Sequence, residues 1–229
     1  MQQDFKVSST GSFDATRNSV LRNTYRLLGI SMLPTAVGAA IGVNTSFSFM
    51  AASPMLGSLV FLAVVYGLFF AIERNKYSST GVYLLLGLTF ILGFMLGPIL
   101  QHTLHFRNGA ELIGLATGGT GVTFLALSAL GSDTRRNFSG AANFLFVGSI
   151  ILLVAMVANI FLQLPMFQLV LAGGFMIFSS VMIVYQINEI VRGGETNYIT
   201  ATLTLYISIY NIFVSLLQLL GVFGGSSRD

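Results

Sequence analysis

Pro54-Met-Leu-Gly-Ser-Leu-Val-Phe-Leu-Ala-Val-Val-Tyr-Gly-Leu-Phe-Phe-Ala-Ile72 carries no charge, and its centre, Leu59-Val-Phe-Leu-Ala-Val-Val65, does not alternate apolar with polar. A strand of a membrane barrel would be about 10 residues long and would alternate. A helix rising about 1.5 Å per residue takes this stretch across roughly 30 Å, the thickness of the hydrocarbon core. In lipid every backbone amide needs a partner within the protein, and a helix supplies one inside the segment. The stretch therefore reads as a membrane-spanning helix. Six more follow the same pattern, at 27–48, 81–101, 112–130, 141–162, 165–187 and 199–222, none with a formal charge in its middle. The fold class is all-α, a polytopic membrane protein of seven transmembrane helices.

The remaining composition leaves no room for a second domain. Of 229 residues 54% are apolar and only 8% charged, against about 25% charged in soluble domains. Residues 1–26 form an N-terminal segment too short and polar to build a core. Residues 27–223 are the membrane domain and 224–229 a short tail. No signal peptide is expected to be removed, since the first apolar stretch is too long for one. Cysteine is absent, which excludes disulfides, thiolate catalysis and cysteine metal sites. His102 and His105 have only Glu111 nearby and read as solvent-wetted residues at a helix end rather than metal ligands. Gly118-Gly-Thr-Gly121 lacks a P-loop lysine and a preceding strand, so it implies no nucleotide cofactor. No nucleophile–base pair or pair of acids converges at one depth, and the chain reads as a non-enzyme without cofactor or metal.

Charge sets the orientation. Lys6, Arg17, Arg22, Arg26, Arg74, Lys76, Arg135, Arg136 and Arg192 fall on one side of the membrane, and only Arg107 and Arg228 on the other. Basic residues in short loops stay cytoplasmic, so the N-terminus is expected in the cytoplasm and the C-terminus in the periplasm. Tyr25, Tyr77, Tyr83, Tyr185 and Tyr198 sit near helix ends on that same side, where amphipathic rings settle. The connections at 49–53 and 163–164 are short, and predict antiparallel hairpins of helices 1 and 2 and of helices 5 and 6, packed side by side. Gly97-Pro98 predicts a kink in the third helix.

Inside the bundle the last helix is the most polar. Thr204, Ser208, Asn211, Ser215 and Gln218 recur at spacings of four and three and make one stripe. Such a stripe faces other helices or water. It reads either as the lining of a polar path or as a packing seam of hydrogen bonds, each worth about 0.6–2 kcal/mol. Asn159 and Gln163 share a face near the end of the fifth helix. Gln186, Asn188 and Glu189 close the sixth. Glu189 is the most deeply placed acid and a candidate titrating group, with pairing to Arg192 or plain hydration as the alternatives. Gly93-x-x-x-Gly97 and Gly114-x-x-x-Gly118 are expected to let helices approach closely. Residues 1–20 are rich in Ser, Thr and Asn and are expected to lack regular structure. Phe5, Lys6, Phe13 and Arg17 are the side chains there that a cytoplasmic partner could grip.

Several segments together carry a family likeness. They are Val20-Leu-Arg-Asn-Thr-Tyr-Arg-Leu-Leu28, Leu96-Gly-Pro-Ile-Leu100, Met156-Val-Ala-Asn-Ile-Phe-Leu-Gln-Leu-Pro165, Gly193-Gly-Glu-Thr-Asn-Tyr-Ile199 and Tyr210-Asn-Ile-Phe-Val-Ser-Leu-Leu217. They resemble the Bax inhibitor-1 family, in particular its bacterial YccA-like branch, from about residue 20 onward. The resemblance implies a bundle whose last helix is surrounded by the other six. It also implies association with the membrane-anchored AAA protease FtsH, as a slowly processed substrate and modulator gripped by its N-terminal tail. Another branch of the family is a pH-sensitive cation leak that uses two facing aspartates. The positions matching that pair are Gln186 and Ser208 here, so the resemblance does not carry the acid sensor across. The expected function is binding and modulation of FtsH in the bacterial inner membrane; the alternative is a calcium or proton leak along the polar stripe.

Overall fold

The computed structural model describes residues 4–48 and 52–225, with side chains from Arg17 onward. The helices are α1 (Asp4–Val43), α2 (Pro54–Arg74), α3 (Ser79–Phe94), α4 (Gly97–Leu104), α5 (Gly109–Gly131), α6 (Ala141–Leu162), α7 (Pro165–Arg192) and α8 (Tyr198–Gly224). They provide seven stretches long and apolar enough to cross a membrane, α3 and α4 forming one broken span.

Proline sets much of this punctuation. Pro54, Pro98 and Pro165 each stand in the first turn of a helix, where a missing N–H leaves no bond unmade. Pro98 accounts for the kink expected in the third span: α3 stops at Phe94, Met95 and Leu96 turn, and α4 starts at Gly97. Pro34 alone lies within a helix, and α1 continues through it.

Two expectations about the first helix need correction. Its membrane stretch runs from Arg17 to Val43 rather than over 27–48. It stops early because Asn44 Nδ2 and Thr45 Oγ1 take the carbonyls of Ala40 and Ile41, both at 2.8 Å, and so satisfy orphan acceptors of the last turn. At the other end, residues 4–20 continue the helix instead of lacking regular structure. Adding a turn to an existing helix avoids the unfavourable nucleation step that a separate polar segment would face.

The early stop of α1 also changes its neighbours. The link to α2 is longer than the sequence implied, and α1 packs chiefly on α3, while α2 lies on α3, α6 and α8. The side-by-side pairing expected for the first two spans is thus replaced by an α1–α3 crossing. Glycine brings it about. A Cβ added to Gly38 or Gly42 of α1 would overlap the backbone of Phe90 or Phe94, and one on Gly93 would overlap Thr35. In lipid, helices associate by close packing rather than by expelling water, and glycine pairs give the closest approach. Gly114 and Gly118 behave otherwise. Neither has an atom within 4 Å of a built Cβ, so among the described residues this pair makes no close crossing.

At the centre stands α8, packed against α1, α2, α3, α4, α5 and α7. Five of the other six spans therefore surround it, and α6 attaches through α7 and α2. Leu145 is the buried residue of α6, whereas Phe144, Phe146, Ile150, Ile151 and Val154 are exposed. A helix apolar on every side belongs against lipid. The predicted α6–α7 hairpin is present, turned by Gln163 and Leu164.

Side-chain bonds clasp each end of the bundle. At one end Asn188 of α7 holds the α5–α6 loop, Arg17 donates to the carbonyl of Val191 at 3.3 Å, and Asn197 reaches the carbonyl of Lys76 at 2.8 Å. At the opposite end Gln101 Nε2 donates to the carbonyls of Gly42, Val43 and Thr45, and Asn108 to that of Gly224. The first group joins the loops that carry Arg17, Arg74, Lys76, Arg135, Arg136 and Arg192, which makes it the basic end.

Candidate functional site

The stripe on α8 divides at its middle. Toward the basic end, Ser208 Oγ donates to the carbonyl of Thr204 at 2.8 Å, a bond within its own helix. Beyond it, Asn211, Ser215 and Gln218 line a chamber of about 450 Å³. Among the described residues no stripe side chain bonds to another helix. Apart from Thr200, which donates to Glu73 of α2 at the basic end, the interhelical bonds of α8 come from a different face. Tyr206 Oη lies 2.7 Å from Thr35 Oγ1 and 3.3 Å from the Thr89 carbonyl, and Tyr210 donates to the Leu92 carbonyl at 3.2 Å. Two phenols inside an apolar span carry a polar tip that needs a partner, a signal present in the sequence beside the more conspicuous stripe.

Four helices build the chamber. Asn159 and Gln163 come from the end of α6, Gln168 from the start of α7, and the first turns of α2 complete the ring. The helices touch in sequence around it: α2 on α6, α6 on α7, α7 on α8 and α8 on α2. Every lining residue belongs to the half of its helix remote from the basic end. From Pro165 down to Phe175 the chamber is about 15 Å deep. Toward the basic end α7 and α8 continue with Ile183, Ile187 and Leu205, all fully buried. Gln163 has φ 50°, in the left-handed region that costs a non-glycine residue about 1 kcal/mol or more. Asn159 Oδ1 is shielded from solvent without a hydrogen-bond partner among the described residues.

The remaining residues singled out in the sequence are scattered. Gln186 and Ser208 are buried, and Gln186 Nε2 lacks a partner among the described residues. Neither is an acid, so the two cannot share a proton as a pair of carboxylates would. Glu189 does not pair with Arg192; its carbonyl accepts from the N–H groups of Gly194 and Glu195 and ends α7. Among the described residues the ion pairs are Glu73–Lys76 and Asp133–Arg136. The hydrogen bond from Lys76 to Glu73 raises the lysine pKa above its ordinary value. Both histidines are exposed, His105 against the Gln101 carbonyl and His102 edge-on to Phe106. Arg17 is engaged at the end of α7. Phe5, Lys6 and Phe13 stand on the helical backbone of α1, but their side chains lie outside the described residues.

Two residues at the basic end carry more structure than the sequence assigned them. Asn188, 1% exposed, donates to the carbonyls of Gly131 and Arg136 and accepts from the N–H of Phe138. Asn197 caps α8, accepting from the N–H groups of Ile199 and Thr200. An asparagine just before an apolar run is a recognisable helix start. Asn197→Ala is expected to lower stability by about 1–2 kcal/mol, measured as a shift of the thermal unfolding midpoint in detergent.

A second cavity, about 680 Å³, opens between α1 and α5 over Tyr206 and Tyr210 and is lined mainly by apolar groups.

Comparison with known sequences gives a consistent result. The profile of the family described as "Inhibitor of apoptosis-promoting Bax1" matches residues 17–225. An uncharacterised protein of Neisseria meningitidis is 47% identical over 222 residues, 96% of this chain and 97% of the relative. A protein of Escherichia coli K12 named "Modulator of FtsH protease YccA" is 41% identical over 212 residues, 93% of this chain and 92% of its own length. Its counterpart in another Escherichia coli strain, equally similar, is named "Inner membrane protein YccA".

Proposed function

The chain belongs to the Bax inhibitor-1 family, and on that premise we propose that it binds and modulates the membrane-anchored protease FtsH from within the bacterial inner membrane. The observation that carries this reading is 41% identity, over nearly the whole of both chains, to a protein named for that activity. In this reading the chain is a slowly processed substrate that occupies the protease and thereby restrains it; it performs no chemistry itself.

Two structural features support the reading. The basic end gathers Arg17, Arg74, Lys76, Arg135, Arg136 and Arg192, the composition of a cytoplasmic face. From Asp4 to Arg17, where its membrane stretch begins, α1 extends about 20 Å farther at that end. A protease acting in the cytoplasm would meet this extension first.

The test compares the full-length protein with a form lacking residues 1–16. That boundary leaves Arg17 on Val191 and keeps Val20 in its cluster with Ile190 and Ala201. Full-length protein is expected to retain FtsH from detergent extracts and to slow degradation of a second membrane substrate several-fold. The truncated form is expected to lose both effects while keeping its unfolding midpoint. If full-length protein neither retains FtsH nor slows degradation, the reading fails.

A further inference from the structure

The chamber between α2, α6, α7 and α8 has no part in gripping a protease at the basic end. Five carboxamides converge on it: Asn159, Gln163, Gln168, Asn211 and Gln218. Among the described residues none of these side chains bonds to another protein group, and the Asn159 oxygen is buried without a partner. Shielded polar atoms nearly always have hydrogen-bond partners. Gln163 and Gln168 are exposed and Asn211 and Gln218 half-buried, so the Asn159 oxygen alone is fully shielded; the other four amides line the same space unbonded, as recognition chemistry requires. The left-handed backbone at Gln163 is the C-cap that ends α6 and turns the chain into α7 at the chamber mouth.

The lining also defines what fits. It contains no Asp, Glu, Lys, Arg or His. A charged guest would give up part of its hydration with no opposite charge to replace it. Each carboxamide presents two donors and one acceptor. Alcohol groups match such a lining because a hydroxyl both donates and accepts. The volume, about 450 Å³, equals roughly fifteen waters. That accommodates a guest of about a dozen non-hydrogen atoms with some water around it, and it falls within the ordinary range of ligand pockets. Phe175 and Leu171 on α7 offer an apolar surface for the C–H face of a ring.

We propose that this chamber is a binding site for a small uncharged polyol of monosaccharide size, entered from the end of the bundle opposite the basic loops. The site is independent of the protease reading, and its test in nanodiscs, where both faces are open, does not depend on orientation.

The chain has no cysteine, so a single one reports cleanly. Ser215→Cys and, separately, Gln218→Cys are reconstituted and modified with a neutral hydroxyethyl methanethiosulfonate. The rate is read with and without glucose, and with its cationic and anionic relatives glucosamine and glucuronate. Both cysteines are expected to react. Glucose is expected to slow them about tenfold at saturation, while the charged sugars leave the rate within about twofold. Adding Asn211→Leu is expected to abolish protection while the protein keeps its elution profile. Cysteines that do not react at either position, no protection by glucose, or equal protection by all three sugars would each overturn the proposal.

Discussion

Gly93→Ala is expected to cost about 2–3 kcal/mol and to lower the unfolding midpoint by roughly 5–10 °C, although it adds one methyl group. The new Cβ would overlap the backbone of Thr35 across the α1–α3 crossing. Backbone cannot yield as the tip of a side chain can, so the helices must separate. Separation has a further consequence at this place. Thr35 Oγ1 shares a hydrogen bond with Tyr206, whose hydroxyl also reaches Thr89 on α3. Opening the crossing therefore loosens the central helix α8 as well. Gly114→Ala provides the opposite expectation. Nothing lies within 4 Å of its added Cβ, and alanine favours a helix over glycine by up to about 1 kcal/mol. Its midpoint should hold or rise. Midpoints of both variants, followed by loss of monodisperse protein on heating in detergent, check the pair. Equal losses in the two would mean that the crossing is not where glycine is needed.

The contrast between these glycines shows what a single chain can and cannot disclose. Both pairs have the same spacing and the same apolar setting, and sequence marks them alike. Only the fold shows that Gly93 meets Thr35 and Gly97 meets Gly42 where α1 crosses the α3–α4 span, and that among the described residues nothing lies close to Gly114 or Gly118. The spans themselves were legible, because length and lack of charge are set by the bilayer, a solvent the sequence must match everywhere. Helix starts at Pro54 and Pro165, and a kink at Pro98, were legible for the local reason that proline lacks a donor. The partner of α1 was not, since it depended on where α1 stopped, and that is decided by two capping side chains, Asn44 and Thr45.

The candidate site was half legible. The stripe on α8 announced Asn211, Ser215 and Gln218, and the pair Asn159 and Gln163 was visible on α6. That these belong to one chamber, with Gln168 as a further member, required the ring of four helices. Periodicity assigns residues to a face of one helix but says nothing of which faces meet. For the same reason Ser208 looked equivalent to the rest of the stripe, yet it bonds along its own helix, to the carbonyl of Thr204.

Asn188→Leu is expected to be the most disruptive change at the basic end. One side chain holds the α5–α6 connection from three directions: the carbonyls of Gly131 and Arg136, and the N–H of Phe138. Leucine has the same heavy-atom branching but no polar atoms, so the change leaves those three groups without their partner. Each stranded group costs about 1–3 kcal/mol when shielded; with some recovered by water, a total near 2–4 kcal/mol follows. The loss is local, because the loop can leave while the helices stay. Trypsin reads it directly, since Arg135 and Arg136 are exposed on this loop. An opening made easier by about 1.4 kcal/mol is populated tenfold more, so cleavage there should accelerate tenfold or more. Asn188→Asp separates the donor role from the acceptor role. Its oxygens keep the bond from Phe138 but lose the amide donor that serves the two carbonyls. The aspartate variant should accordingly be cleaved nearly as fast as the leucine variant at neutral pH. Cleavage of the aspartate variant at the parent rate would mean that the amide donor of Asn188 does not hold the loop.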